Sequence, residues 1–150
     1  MRGLELYEWI AGSKHDFIKN FEGNDPLYKR AGVFWELLES YALFIICTFV
    51  ILGILFAFLY YGPFNNKPGR HYRPRWWAGF LGITFAATLI VTLIIGLLAN
   101  PELSGSGVLI FKIALGNALY AMFVYFLTSV VWCNLIPTNA YPIFKFKKKK

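Results

Sequence analysis

Charge is what this sequence has least of, and the little it has is unevenly spread. Asp, Glu, Lys and Arg make up 15% of the chain, well below the roughly one quarter usual in soluble domains. After Glu39 a single acid remains, Glu102. Three stretches hold no charge at all: Tyr41 to Tyr61, Trp76 to Ala99 and Ile113 to Trp132. Each approaches the ~20 apolar residues that cross a bilayer core as a helix. No segment left outside them is long enough to bury a water-facing core, which excludes a soluble catalytic domain.

Cysteine is nearly absent too. Cys47 and Cys133 fall inside or at the edge of the apolar stretches without ligand spacing, which excludes a disulfide framework and a zinc site and leaves them as small apolar fillers. Catalytic signatures are missing as well: there is no Walker loop, no GxGxxG, no HExxH, no CxxC and no GxSxG. His15 and His71 are isolated, and the basic loop around His71 has no acid to partner it. No catalytic, cofactor-binding or metal-binding residue is assigned on this basis, and the chain is not expected to be an enzyme. Neither an internal repeat nor a pair of interrupted spans marks a transporter.

What is present defines an all-α integral membrane protein with three transmembrane helices, an amphipathic interfacial helix at the N-terminus and a long first helix that protrudes from the membrane. One membrane domain covers residues 1–150. It divides into an amphipathic segment 1–25, a long helix 26–61 containing the first span, a basic loop 62–75, a second span 76–99, a flexible loop 100–107, a third span 108–133 and a basic tail 134–150.

In the N-terminal segment Leu6, Ile10, Phe17 and Phe21 share an apolar face at helical spacing, opposite Glu5, Glu8, Lys14 and Lys19. That face should lie on the membrane or on a partner. Ser13 and Asp16 form a capping-box pattern, Gly12 marks a break and Gly23 a stop. No apolar run follows Arg2, so a cleaved signal peptide is not expected. Asp25-Pro26 then reads as a helix start, with Asp25 as the cap, and nothing breaks that helix before Gly62-Pro63. A helix of 36 residues is ~54 Å long against a hydrocarbon core of ~30 Å, so its first turns stand outside the core. Glu36 and Glu39 lie there, either as a solvated shoulder or as a cation-attracting ring in an oligomer.

The loop contributes Lys67, Arg70, His71, Arg73 and Arg75 as contacts for lipid phosphates or a partner, and Trp76 and Trp77 follow as anchors at headgroup level. On the second span Thr84, Thr88, Thr92 and Gly96 recur every four residues, a small-residue stripe suited to close helix packing. On the third, Lys112 can snorkel outwards, and Asn117, Ala121, Tyr125 and Ser129 repeat at the same spacing as a hydrogen-bonding seam. The chain ends in Lys145, Lys147, Lys148, Lys149 and Lys150. Lys147 and Lys148 also match a dilysine retrieval pattern, although a run of four lysines is not specific for it.

Loop and tail together carry nine basic residues and no acid, whereas the opposite side carries five bases among eight acids. The excess of Lys and Arg favours the cytoplasmic side, which puts the N-terminus outside and the C-terminus inside. The functional expectation is a non-enzymatic membrane subunit that packs into a larger complex, with other membrane subunits and anionic lipid headgroups as partners and no specific nucleic acid. The alternative is a homo-oligomeric channel lined by the Thr84 stripe or the Asn117 face.

Overall fold

The computed structural model describes residues 3–65, 74–99, 102–136 and 143–144. The described residues are all-helical, with no strand among them. A 3-10 turn, Gly3–Tyr7, leads into α1 (Glu8–Ala11), α2 (Lys14–Lys19), α3 (Asp25–Ser40) and α4 (Ala42–Leu59). A π-turn, Tyr60–Phe64, closes α4, and α5 (Pro74–Leu97) and α6 (Ser106–Leu135) complete the order. Three helical stretches are long and apolar enough to cross a membrane: Asp25–Phe64, Pro74–Leu97 and Ser106–Leu135. At 1.5 Å per residue even the 24-residue one reaches ~36 Å.

Local chemistry sets the boundaries, and several differ from those expected. Asn24, not Asp25, caps α3: its side chain accepts from the Leu27 N–H at 3.4 Å, while Asp25 and Pro26 occupy the first helical turn. The long helix runs from Asp25 to Phe64 with one local irregularity, at Tyr41. The Ser40 hydroxyl donates to the Leu37 carbonyl at 2.6 Å, and the Tyr41 N–H is shared between Leu37 and Leu38 carbonyls at 3.3 and 3.2 Å. A side chain competing for a helical carbonyl loosens the ladder locally, and the helix resumes with the Ile45 N–H on the Tyr41 carbonyl. The break expected at Gly62-Pro63 takes the form of a π-turn that ends the helical stretch at Phe64. Pro63 has no N–H and its ring crowds the preceding turn, and here the Asn65 N–H bonds back to the Tyr60 carbonyl at 2.9 Å across a widened π-turn. At the other ends α5 starts at Pro74, α6 starts at Ser106, and α6 runs on to Leu135, past the expected tail boundary.

Two compact units are distinguishable. The first comprises Met1–Thr48 and Thr88–Asn117, the second Phe49–Ala87 and Ala118–Lys150, so α4, α5 and α6 each contribute to both. In the first unit, Leu4 and Tyr7 are buried and Ile10 is half-buried. The 3-10 turn, with about three residues per turn, starts this column of residues three apart and leaves Leu6 41% exposed. Tyr7 and Ile10 pack on Gly116 of α6, where an added Cβ would approach each at 3.2 Å. Gly3 lies against Ala42 in the same way, so the N-terminal segment rests on helices of its own chain. Phe17 of α2 then meets Phe34 and Trp35 of α3 at ring distances of 5.8 and 5.9 Å.

The second unit is built on aromatics. Tyr60, Tyr61 and Cys133 form its buried centre, surrounded by Phe64, Trp77, Phe80, Trp132 and Phe144. Gly53 lets α4 approach α6 closely, since a Cβ there would come within 2.8 Å of Val124 and 2.9 Å of the Ala121 carbonyl.

Candidate interaction surfaces

In the first unit, the polar residue at the middle of α6 has all its amide hydrogens placed. Asn117 Nδ2 donates to the Ile45 carbonyl of α4 at 3.0 Å and to Thr92 Oγ1 of α5 at 2.7 Å. Its Oδ1 accepts from the Tyr7 hydroxyl at 2.7 Å. All four residues are fully or almost fully buried. One carboxamide therefore ties three helices and the N-terminal segment together, at a depth where an unmet polar group costs more than in water. Gly96 belongs to the same unit and is pressed against Ile110. Thr88 is buried, and its hydroxyl has no hydrogen-bond partner.

In the second unit the same α6 register continues with Ala121, Tyr125 and Ser129, all fully buried. Trp77 Nε1 donates to Ser129 Oγ at 3.0 Å, the Tyr125 hydroxyl donates to the Trp77 carbonyl at 3.2 Å, and Ser129 Oγ donates to the Tyr125 carbonyl at 2.8 Å. Trp77 is thus not free to act as a headgroup anchor, because its indole N–H is spent inside the unit. Trp76 alone is exposed, at 43%, with the Arg75 guanidinium 5.8 Å from its ring centroid. Thr84 is buried and its hydroxyl returns to the Phe80 carbonyl of the same helix at 2.8 Å.

The outer face of α5 has the opposite character. Ala78, Gly79, Gly82 and Ala86 are exposed, and nothing lies within 4 Å of a Cβ built on Gly79 or Gly82. Their spacing, with Ala78, Gly82 and Ala86 four apart, was legible beside the Thr84 stripe, but only burial tells which of the two small-residue stripes faces inwards.

Among the described residues, charged groups gather in the first unit. Glu5, Glu8, Glu39 and Lys14 line a crevice of about 210 Å³ with Leu4 and Trp35, and Lys14 Nζ lies 3.7 Å from Glu36, both side chains being largely exposed. A wider recess of about 460 Å³ holds Asp16 and Lys112, the latter exposed on the early turns of α6. A third, of about 430 Å³, is lined by Lys29, Arg30, Val33, Phe34, Leu37, Ala99, Glu102 and Leu103. Asp16 also completes the capping box of α2: its Oδ2 accepts from the Ser13 hydroxyl at 2.7 Å and the Ser13 N–H at 3.2 Å. Those two bonds, the hydroxyl first, hold its carboxyl below the ordinary carboxylate range.

Of the basic residues expected to touch lipid or a partner, Arg75 is exposed. Lys67, Arg70, His71, Arg73, Lys145, Lys147, Lys148, Lys149 and Lys150 lie outside the described residues. Phe144, immediately before the lysines, is held: its carbonyl accepts from Asn134 Nδ2 at 2.9 Å and its ring lies 5.2 Å from Trp77 and 4.9 Å from Phe126. Among the described residues no three His, Cys, Asp or Glu side chains converge as a metal site. Cys133 is buried, with its thiol 3.4 Å from the Tyr61 hydroxyl, and Cys47 is exposed.

Sequence reasoning missed Tyr7 and Trp77 as partners of the α6 seam, and Phe144 as a partner of Asn134 and Phe126. The three-residue spacing of Leu4, Tyr7 and Ile10 was the available signal for the first; nothing local signals the other two. No known protein family matches the chain, and neither a curated protein nor a solved structure does.

Proposed function

We propose that this chain is a non-enzymatic integral membrane subunit that packs into a larger membrane complex and helps to stabilise or anchor it. The observation that carries this reading is the outward face of α5. Ala78, Gly79, Gly82 and Ala86 present almost bare backbone with open space around it. Lipid tails gain little from such a surface, whereas a second helix gains close van der Waals approach over the roughly two turns from Ala78 to Ala86. The hydrogen-bonding residues offer no comparable site for chemistry, since Asn117 is bonded to Ile45, Thr92 and Tyr7, and Trp77, Tyr125 and Ser129 bond to one another.

In this reading the three apolar helices span the bilayer, the early turns of α3 stand outside its hydrocarbon core, and the N-terminus is outside with the C-terminus inside. The basic loop and lysine tail meet anionic headgroups at ~1 kcal/mol per basic residue. The pore alternative is less favoured because the Thr84 and Asn117 faces that would line its axis are buried within their own units.

The test is extraction from the native membrane in gentle detergent, followed by native gel separation and mass spectrometry of what comigrates. Stoichiometric recovery with unrelated membrane chains is expected. A homogeneous ring of this chain alone would overturn the reading and call for conductance recordings.

A further inference from the structure

The groove lined by α3 and by the connection between α5 and α6 carries three charges without a charged partner among the described residues. Lys29, Arg30 and Glu102 are exposed and line one groove of about 430 Å³, yet among the described residues none forms an ion pair or side-chain hydrogen bond. Opposite charges that share a groove without closing on one another leave room for a ligand carrying both signs.

The polarity of the groove changes along α3. Lys29 is followed at four-residue intervals by Val33 and Leu37, which are 57% and 44% exposed. Positions four apart lie on one helix face, so the charged end passes into an apolar wall over ~12 Å. Leu103 continues that wall from the α5–α6 connection. A water-soluble ligand has no use for the wall, and an apolar segment of protein has none for the three charges. A lipid uses both.

We propose that this groove is a headgroup site for a phospholipid bearing a primary amine. Its phosphate sits between Lys29 and Arg30, its ammonium group meets Glu102, and an acyl chain runs along Val33 and Leu37. Two cations around one phosphate supply the charge-assisted hydrogen bonds that phosphate oxygens accept most strongly, and Glu102, repulsive to an acidic headgroup, becomes attractive once an amine is present. The site uses no residue of the basic loop or lysine tail, and it rests on the membrane reading above.

The purified full chain in detergent is offered equal amounts of phosphatidylethanolamine and phosphatidylglycerol with the same acyl chains, and retained lipid is counted by native mass spectrometry. Wild type should hold the ethanolamine lipid about fivefold better, the ratio that ~1 kcal/mol of ionic contact gives. The double variant Lys29→Gln/Arg30→Gln should lose both lipids. Glu102→Gln should keep binding and lose the preference. Equal retention of the two lipids by wild type, or undiminished ethanolamine-lipid binding by the double variant, would overturn the site. So would a photo-cross-linker at Val33 that captures a protein chain and no lipid in native membranes. Carbonate extraction of those membranes separates the two readings. Release of the chain sinks its membrane residence, whereas retention without lipid preference sinks this site alone.

Discussion

Tyr7 and Asn117, 110 residues apart in the chain, are joined by a buried hydrogen bond of 2.7 Å from the phenol to the carboxamide oxygen. Asn117 also holds α4 and α5, so the bond makes the N-terminal segment part of the first unit's packing. Replacing Asn117 by Leu removes the acceptor of this Tyr7 bond and the donors to Ile45 and Thr92. A loss of about 1–3 kcal/mol is expected, measured by thermal unfolding in detergent. Tyr7→Phe should cost about 1 kcal/mol, and the double variant should fall short of the sum because both changes remove the same bond. Limited proteolysis should cut the first residues faster in both single variants.

Glycines on the two sides of the molecule should respond differently to the same substitution. Gly53→Val forces a side chain into Val124 and the Ala121 carbonyl, and overpacking of this kind costs about 1–3 kcal/mol. Gly82→Val meets nothing within the chain and should leave its stability within about 0.5 kcal/mol. Its effect should appear in the native gel, as loss of comigrating partner chains. An unchanged complex would remove the α5 face from the proposed contact.

The capping box of α2 has a pH dependence whose sign follows from Asp16. Its carboxyl is held below its ordinary value of 3.8 by the Ser13 hydroxyl and N–H. The contribution to α2 is therefore fully present above that ordinary value and disappears as pH falls through the lowered one. The side-chain carboxyl carbon shift of Asp16 should be flat above about pH 5 and move only in stronger acid. Asp16→Asn should abolish the titration.

Truncation after Phe144 and replacement of Phe144 should separate attachment from folding. Removing the lysines should weaken binding to anionic vesicles and to partner chains while leaving insertion intact, since each lysine near an anionic surface is worth ~1 kcal/mol. Phe144→Ala keeps every lysine but loses the edge contacts with Trp77 and Phe126, at a cost of about 1–2 kcal/mol in thermal unfolding. Unchanged association after truncation would count against a docking role for the tail.

The helices themselves were legible because their signal is local. An uncharged run of membrane length needs no knowledge of neighbours, and the Ser13–Asp16 box is set by four consecutive residues. The cap of α3 moved by one residue because Asn24 and Asp25 carry equally good oxygens and only backbone geometry decides between them. The Tyr41 step was harder to see, since it arises where the Ser40 hydroxyl takes a carbonyl from the ladder.

The sequence by itself determined that the chain makes three long apolar helices, where their charged ends lie and which residues recur at helical spacing. All of these follow from hydrophobicity and periodicity along the chain. Tertiary structure alone decided which face of each helix turns inwards. Two small-residue stripes run down α5 with the same four-residue spacing, and only tertiary packing makes Thr84 and Thr92 interior while leaving Gly82 and Ala86 bare. It also decided that Asn117 binds Tyr7 and that Trp77 turns its N–H to Ser129, because hydrogen bonds between residues far apart in sequence exist only once the backbone has brought them within about 3 Å.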